Sequence, residues 1–227
     1  MFLENIPEAI QARMRELEAI DERDRNDGTP QLKRLRQIPP ESGNILALLA
    51  AAAPKGDVLE IGTSAGYSSL WLILACQQRA GKLTTFELLP EKVELAKQTF
   101  ASAGVAAFVN QIHGDARGHL KEYDEVAFCF LDVEKEMYQE CYDLVVPNLV
   151  TGGLLIVDNV VSHAEELEKF LAQAQDDQRV DAVVLPVGKG LLVVNKRKPL
   201  PVEVEETPAE EDKPAPKKKR ARKSSKK

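Results

Sequence analysis

Residues 58–68 read VLEIGTSAGYS and combine a short apolar run, a glycine-rich turn and the start of a longer apolar segment. Val58–Ile61 predicts a buried strand, and Gly66–Gln78 predicts a helix. Gly62 and Gly66 allow the backbone to turn sharply between them and to approach a ligand closely. In open α/β sheets, ligands bind beyond the carboxyl ends of the strands, where such turns lie. The segment therefore predicts both an α/β fold and the position of its site.

Strand and helix patterns alternate through the rest of the chain. Further strands are predicted at residues 82–87, 107–113, 126–132, 153–158, 180–187 and 191–195, and further helices at residues 7–20, 44–53, 90–103, 117–122, 137–146 and 162–175. Ser162 and Glu165 are expected to form a capping box at the start of the last helix, and Gly188–Gly190 to close a hairpin between the last two strands. We predict an α/β, Rossmann-like fold: a seven-stranded, mostly parallel sheet with an antiparallel edge hairpin and helices on both faces.

The same patterns divide the chain into three parts. Residues 1–56 hold two helices that we expect to act as a cap or dimer element, and the polar run at residues 21–30 is expected to end the first of them. Residues 57–198 form the predicted α/β domain. Residues 199–227 are predicted to be a disordered tail, because proline, charged and small residues follow one another there without periodicity.

Charge is distributed unevenly along the chain. The net charge is −6, but residues 201–212 contain six acidic and no basic residues, and residues 213–227 contain nine basic and no acidic ones. The three cysteines show no CxxC spacing, so they are expected to be reduced thiols. No apolar run reaches the roughly 18 residues of a membrane span, and the N-terminus does not resemble a secretion signal. We expect a cytoplasmic protein with no membrane contact.

The turn in residues 58–68 indicates the kind of ligand that it binds. Its glycines, Gly62 and Gly66, follow a G-x-x-x-G pattern, whereas a dinucleotide site is typically G-x-G-x-x-G. Glu60 precedes the turn and would repel a pyrophosphate but attract a sulfonium or amino group. Glu87 ends the next strand, where an acid can accept hydrogen bonds from ribose hydroxyls, and Asp115 follows the third strand, near the expected adenine edge. These acids can also simply cap helices; together they favour S-adenosylmethionine as the ligand.

Polar residues also follow the fourth and fifth predicted strands. Asp132 ends one strand, and Asp158 and Asn159 end the next, so their side chains are expected at one mouth of the sheet. Carboxylate and amide oxygens suit Mg, Mn or Ca, with positions left open for substrate. Lys135 follows Asp132 by three residues and is expected on the same rim. The alternative is that the two aspartates cap helices and Lys135 is their ion partner.

Five segments in this order, EIGTSAGYS, GDA, FLDVEKEMY, GGLLIVDNV and PVGKGL, resemble the cation-dependent O-methyltransferases related to catechol and caffeoyl-CoA O-methyltransferases. The resemblance covers about residues 35–196 and implies that residues 57–198 are an S-adenosylmethionine-dependent methyltransferase domain in a homodimer. It implies Asp132, Asp158 and Asn159 as metal ligands, and Lys135 with Asp132 as the catalytic residues. The cofactor contacts that we predict are Glu60, Gly62, Thr63, Gly66, Tyr67, Ser68, Glu87, Asp115, Ala116 and Asp132.

The predicted activity is therefore metal-assisted O-methylation of a small molecule, such as a vicinal diol or a phenol. The family commonly has a longer loop after the Asp-Asn pair, often with a tryptophan over an aromatic substrate. Here Val160–His163 leads directly into a predicted helix, and Trp71, the only tryptophan, is expected in the core. The sequence thus predicts methyl transfer to a hydroxyl, but it does not indicate that the acceptor is aromatic.

Two other functions remain open at the level of sequence. The first is methylation of a hydroxylated uridine in tRNA, which the basic run KKKRARK at residues 217–223 and the cations Arg34 and Arg36 favour. The acidic character of the rest of the chain counts against it. The basic run makes at most a weak nucleic-acid contact in our interpretation, and its composition slightly favours a solvated tail. The second is a non-catalytic protein that binds S-adenosylmethionine, which the set of Asp132, Lys135 and the Asp-Asn pair disfavours.

Overall fold

Helices and strands alternate in residues 3–198, the part of the chain that this computed structural model describes. The helices are α1 (Glu8–Asn26), α2 (Pro40–Ala52), α3 (Tyr67–Gln78), α4 (Pro90–Ser102), α5 (Tyr138–Val145) and α6 (Glu168–Asp176). The strands are β1 (Asp57–Ile61), β2 (Leu83–Glu87), β3 (Val109–His113), β4 (Val126–Leu131), β5 (Leu149–Val157), β6 (Val180–Leu185) and β7 (Leu191–Lys196).

The seven strands form one sheet in the order β3-β2-β1-β4-β5-β7-β6. The first five pair in parallel, whereas β7 pairs antiparallel with both β5 and β6. The predicted seven-stranded, mostly parallel sheet with an antiparallel edge hairpin is confirmed. Because the chain leaves β1 towards β2 on one side and reaches β4 on the other, the order reverses at β1. A crevice at the carboxyl ends of β1 and β4 is the expected ligand position in such a sheet.

Both faces of the sheet are covered, and β4 is buried along its whole length. Phe128 and Phe130 belong to the hydrophobic core on the side of α1 to α4. Cys129 and Leu131 belong to the core on the side of α5 and α6. This alternation follows from the two-residue period of a strand. It places the residues that follow β4 at a rigid edge.

The first helix is longer than the sequence pattern indicated. Residues 21–30 were expected to end it near residue 20, but α1 continues to Asn26. Arg25 pairs with Asp21 one turn earlier at 2.7 Å, and such pairs stabilise a helix. Asp21 and Asp24 are also buried, with 7% and 6% exposure. The first six residues of the polar run therefore continue the helix, with Asp21 and Asp24 buried, and the helix ends within the run but later than predicted.

The helix predicted to start at Ser162 starts at Glu168, and the expected capping box is absent. The Ser162 hydroxyl instead donates to the carbonyl of Asn159 at 3.3 Å. The backbone N–H of Ser162 donates to the carbonyl of Lys189 at 2.9 Å, and that of Val160 to Gly190 at 3.1 Å. Because the hairpin loop takes these donors, the segment after β5 forms turns before α6 begins.

Smaller differences concern the ends of elements. The helix expected at residues 117–122 is two 3-10 turns, Ala116–Gly118 and Leu120–Glu122.

Trp71 lies in the core with 5% exposure, as predicted. The three cysteines are buried free thiols, and none of the helices within residues 3–198 could cross a membrane. The predicted disordered tail, residues 199–227, lies outside the described residues.

Candidate active site

A cavity of about 750 Å³ opens at the carboxyl ends of β1, β2 and β4. Residues from the glycine turn, from the ends of these strands and from the loop between α1 and α2 form its walls. Of the predicted site residues, those that line the cavity are Gly62, Thr63, Tyr67, Ser68, Glu87, Ala116, Asp132, Lys135 and Asn159. Glu60, Gly66, Asp115 and Asp158 lie behind its walls or beside it.

The glycine turn packs directly against the end of β4. Gly62 has a φ of 101° and Gly66 a φ of 85°, a region that favours glycine. A Cβ on Gly62 would lie 2.1 Å from the carbonyl oxygen of Asp132. The turn is also tied to β2, because the backbone N–H of Ser64 donates to Glu87 at 2.8 Å. Glycine at position 62 thus allows the turn and the end of β4 to form one wall.

Glu60 lies behind this turn and is fully buried. Its carboxylate accepts hydrogen bonds from the hydroxyls of Ser68 and Thr85, each at 2.6 Å, and from Ser69. Burial raises the pKa of Glu60 to about 7, although the three hydroxyl donors oppose this shift. Its oxygens are therefore already occupied by neighbouring side chains. The direct contact with a cationic ligand that the sequence suggested stays a prediction.

Glu87 and Asp115 occupy different environments. Glu87 lines the cavity, and its second oxygen accepts from the backbone N–H of Leu89 at 3.0 Å. Asp115 accepts from the backbone N–H of Arg117 at 3.0 Å and from its guanidinium at 2.5 to 3.1 Å. The Arg117 side chain accordingly lowers the pKa of Asp115. Asp115 thus caps a turn, and it is Ala116, the next residue, that faces the cavity.

Asp132, Asp158 and Asn159 come together as predicted. The backbone N–H of Asp132 donates to Ile61 and that of Asp158 to Leu131, both at 3.0 Å, so the sheet ladder extends past the strand ends. Asn159 has a φ of 66°, and its side-chain amide donates to Asp132 at 2.8 Å. The sheet register thus holds two acidic side chains and one amide in one place.

The carboxylate of Asp158 is the least satisfied group in this cluster. Asp158 is fully buried, and neither of its oxygens has a hydrogen-bond partner among residues 3–198. Burial raises the pKa of Asp158, and the negative charge of Asp132 adds to the effect. Buried carboxylates are normally hydrogen-bonded or paired with a cation. Asp158 has no hydrogen-bond partner for its carboxylate in the described part of the chain.

Lys135 lies on the same rim, as predicted. Its ammonium donates to the Tyr138 hydroxyl at 2.8 Å and to the Val133 carbonyl at 3.1 Å. The Tyr138 hydroxyl in turn donates to the backbone carbonyl of Asp158 at 3.1 Å. Burial lowers the pKa of Lys135, and the charge of Asp132 opposes that shift. These contacts hold the amine beside the acids, and burial makes its charged form less stable than in a solvent-exposed lysine.

The loop between α1 and α2 covers the cavity; residues 31–38 are called the cover loop below. The Ser64 hydroxyl donates to the carbonyl of Leu35 at 2.9 Å, and the ammonium of Lys92 to that of Arg34 at 2.8 Å. Arg36 donates to Glu134 at 2.6 Å. The sequence indicated Arg34 and Arg36 only as cations, and it did not indicate these contacts.

Several charged residues on the cavity wall were not predicted from the sequence. They are Asp21, Arg25, Lys92, Glu134, Glu136, Glu166 and Lys189. Asp21 and Arg25 lie in the polar run that was taken for the end of a helix. Lys189 lies between the hairpin glycines, where the pattern indicated only a turn. Their positions follow from packing between elements that are distant in the chain, which local periodicity does not encode.

Comparisons with known proteins agree with this geometry. A family model described as O-methyltransferase matches residues 16–197. A catechol O-methyltransferase of Niastella koreensis is 29% identical over 165 residues, 65% of this chain and 74% of that protein. The O-methyltransferase TomG of Streptomyces achromogenes, solved with SAM and involved in tomaymycin synthesis, is 26% identical with a TM-score of 0.69, covering 86% of this chain and 92% of that one.

A second solved structure shares the fold at lower identity. The O-methyltransferase of Bacillus cereus, solved in complex with SAH, is 22% identical with a TM-score of 0.70, and the match covers 82% of this chain and 91% of that one. Because the family model spans most of the chain, the chain belongs to the O-methyltransferase family and is an enzyme of the methyltransferase class. The resemblance seen in the sequence is thereby confirmed.

Proposed function

We propose that this enzyme transfers the methyl group of S-adenosylmethionine to a hydroxyl of a small molecule with two neighbouring oxygens, assisted by a divalent cation. The observation that carries the proposal is the buried, unpartnered Asp158 carboxylate beside Asp132 and Asn159. Asp132 and Asn159 line the same cavity as the glycine turn. The catechol O-methyltransferase among the relatives and the neighbours solved with SAM or SAH support the same assignment.

The glycine turn and the ends of β2 and β3 are the proposed contacts of the methyl donor. The backbone of Gly62 and Thr63 can contact the donor directly. The carboxylate of Glu87 can accept hydrogen bonds from the ribose hydroxyls. Ala116 lines the cavity after β3 and is a small residue on which the adenine can lie. These residues bind and orient the donor, so that its sulfonium faces the acidic cluster. Such positioning supplies a large part of the rate enhancement in a transfer reaction.

Asp132, Asp158 and Asn159 fit a hard divalent cation, because carboxylate and amide oxygens are its preferred ligands. Residues 3–198 contain no group of three or more His, Cys, Asp or Glu side chains arranged to hold a metal. The protein would therefore contribute two carboxylates and one amide oxygen, which leaves positions for the acceptor. A cation bound there would supply a Lewis acid that lowers the pKa of the acceptor hydroxyl.

Lys135 is the proposed proton acceptor. Its amine is held by Tyr138 and by the Val133 carbonyl, so that it stays at the rim beside Asp132. In its neutral form it takes the proton from the acceptor hydroxyl, whose oxygen then attacks the donor methyl group as the bond from methyl to sulfur breaks. A partly buried lysine is suited to this step because its charged form is disfavoured.

The two arginines that favoured tRNA in the sequence, Arg34 and Arg36, give it less support once their contacts are known. Arg36 is paired with Glu134, and the Arg34 side chain donates to the Thr29 carbonyl at 2.7 Å. Both arginines thus have partners within the chain, and the basic run that favoured tRNA lies outside the described residues. Methylation of a hydroxylated tRNA uridine remains the alternative that the experiment includes.

The test is a methyl-transfer assay with labelled S-adenosylmethionine. Acceptors are catechol, phenol, and tRNA with or without hydroxylated uridine, each with Mg²⁺ and with a chelator. We expect transfer to catechol with Mg²⁺, little transfer to phenol, and loss of activity with the chelator. Equal rates with Mg²⁺ and with the chelator would contradict the metal-assisted mechanism. Transfer to the hydroxylated tRNA alone would establish the alternative.

A further inference from the structure

Lys189 is half-buried in the wall of the cavity, at the tip of the hairpin between β6 and β7. The other lysine and arginine side chains that line the cavity each donate to a group of their own chain. These pairs are Arg25 with Asp21, Arg34 with the Thr29 carbonyl, Arg36 with Glu134, Lys92 with the Arg34 carbonyl, and Lys135 with Tyr138. The ammonium of Lys189 makes no hydrogen bond or ion pair with any of residues 3–198. It is therefore the cation of this wall that is left for a ligand.

The packing of the hairpin tip fixes the position of Lys189. Its backbone carbonyl accepts a hydrogen bond from the N–H of Val161 at 3.0 Å. A Cβ on Gly188 would overlap with the Ser42 hydroxyl, and a Cβ on Gly190 would overlap with the Val161 side chain. The tip is thus packed between α2 and the segment after β5. Because glycine is needed on both sides, the lysine is the only side chain beyond Cα that this tip carries.

The charge of Lys189 acts on the acidic cluster at the reacting end of the cavity. Burial raises the pKa of Asp132 and of Asp158, and the positive charge of Lys189 opposes this shift in both. The effect of one charge on another falls with distance, so the ammonium lies on the side of the cavity where this cluster is. In the proposed function the two acids balance a divalent cation, which leaves the charge of Lys189 for the acceptor.

Other charges on this side restrict the group that Lys189 can bind. Glu136 and Glu166 line the cavity and are exposed, so solvent and salt weaken their effect on a ligand. They still disfavour a group with two negative charges, such as a phosphate monoester. A carboxylate has one negative charge and forms a strong, charge-assisted hydrogen bond with an ammonium. The acceptor that fits these residues best is a vicinal diol that also carries a carboxylate.

We propose that the ammonium of Lys189 binds a carboxylate on the methyl acceptor and so selects acidic over neutral diols. This assignment rests on the proposed function, because it names the class of acceptor for the same site. The carboxylate is remote from the reacting hydroxyl, so the contact stabilises the bound acceptor and the transition state equally. Loss of such a contact raises KM and leaves kcat nearly unchanged.

The test compares two acceptors in the methyl-transfer assay with Mg²⁺ and the full-length protein. The acceptors are dihydroxyphenylacetate, a catechol, and its primary amide. A methylene separates the varied group from the ring, so the hydroxyls of the two acceptors have similar acidity. We expect the wild type to prefer the acid at least about tenfold in kcat/KM, as for a hydrogen bond to a charged group.

Three variants assign this preference to Lys189. Lys189→Gln is expected to lose it through a higher KM for the acid, while its kinetics with the amide stay those of the wild type. Lys189→Arg keeps the charge and is expected to keep the preference. Lys55→Gln removes the same charge from an exposed position just before β1, at the opposite end of the sheet, and should behave as the wild type.

Two results would overturn the assignment. The first is a wild type with equal kcat/KM for the two acceptors, and this comparison does not depend on whether any variant folds. The second is a Lys189→Gln variant with wild-type urea unfolding that either keeps the preference or loses activity equally with both acceptors. An equal loss would make Lys189 only a counter-charge of the acidic cluster. A wild type that methylates neither acceptor would contradict the proposed function, and this assignment with it, whereas equal methylation of both contradicts the assignment alone.

Discussion

The guanidinium of Arg36 donates a 2.6 Å hydrogen bond to the carboxylate of Glu134, which joins the cover loop to the segment that follows β4. Arg36 has a φ of 53°, a left-handed conformation that is unfavourable for residues other than glycine. The two side chains are 42% and 54% exposed. A pair this exposed contributes little to stability, so its main effect is expected on how the loop covers a ligand.

Replacing Arg36 with Gln is expected to weaken S-adenosylhomocysteine binding roughly threefold, since an exposed pair is worth about 0.2–1 kcal/mol. The unfolding free energy should change by less than about 0.5 kcal/mol, as for most surface changes. Titration calorimetry and urea unfolding give the two values. Glu134→Gln should have the same effect, and the double variant should show no further loss.

The matched control is Arg197→Gln, which breaks a pair with Asp181 of similar exposure, 42% and 69%, away from the cavity. It should leave ligand affinity unchanged. If Arg197→Gln weakened binding as much as Arg36→Gln, the effect would come from net charge and not from the cover loop.

Gly62→Ala is expected to destabilise the protein by more than about 3 kcal/mol and to abolish donor binding. The added Cβ would lie 2.1 Å from the Asp132 carbonyl, so the glycine turn or the end of β4 must move. The left-handed φ of 101° adds strain of about 1–2 kcal/mol for a residue with a Cβ. Urea unfolding and calorimetry measure the two effects.

Gly104→Ala separates the strain from the clash. Gly104 also has a positive φ, 68°, but a Cβ there meets no atom within 4 Å. It should cost only about 1–2 kcal/mol and leave donor binding intact. Equal destabilisation by the two variants would show that the contact with Asp132 is not the reason for glycine at position 62.

Much of the fold could be predicted because one pattern repeats through the chain. Buried apolar runs separated by helical segments specify a parallel sheet, and the Gly188–Gly190 hairpin specifies the antiparallel end. The cluster of Asp132, Asp158 and Asn159 followed from the same logic, since parallel strands end at one edge. For these residues, local sequence and sheet topology are sufficient.

The errors share a different cause. The polar residues 21–26 remain helical because Asp21 and Asp24 are buried against other elements, and no local pattern shows that burial. The segment at Ser162 forms turns because its N–H bonds to the loop at Lys189, which is 27 residues further along. Asp21 was missed as a cavity residue for the same reason. Tertiary contacts override local propensity at these positions.

The buried Glu60 carboxyl should make stability depend on pH. Its pKa is raised to about 7 by burial, from an ordinary value of 4.5. Between these values the folded state binds more protons than the unfolded state, so the contribution of this group to stability falls as pH rises from about 4.5 through 7. The unfolding free energy of Glu60→Gln, measured relative to that of wild type, should therefore rise by on the order of 2–3 kcal/mol from pH 5 to pH 8.

Urea unfolding of both forms across this range measures the difference. Glu168→Gln, which changes an exposed glutamate at the start of α6, is the control and should give a constant difference from wild type. A constant difference for Glu60→Gln would show that the hydroxyls of Ser68, Ser69 and Thr85 compensate the burial of Glu60, so that it stays ionised as readily in the folded chain.

Asp158→Asn is expected to lower activity and raise stability together. It removes one of two acidic ligands proposed for the cation, so methyl transfer to catechol should fall at least about 100-fold. It also removes a buried carboxylate whose oxygens have no hydrogen-bond partner among the described residues. In metal-free buffer at pH 8 the unfolding free energy should therefore rise by about 1–3 kcal/mol. Methyl-transfer rates measure the expected loss of activity, and urea unfolding measures the expected gain in stability.

Asp143→Asn, an exposed change on α5, should alter neither quantity by a measurable amount and serves as the control. An Asp158→Asn variant that loses stability would mean that the carboxylate is satisfied by its own chain, so that no cation is needed there. A variant that keeps full activity would remove Asp158 from the metal site. Opposite changes in activity and stability are typical of a residue retained for function, since its unpaired charge weakens the fold that holds it.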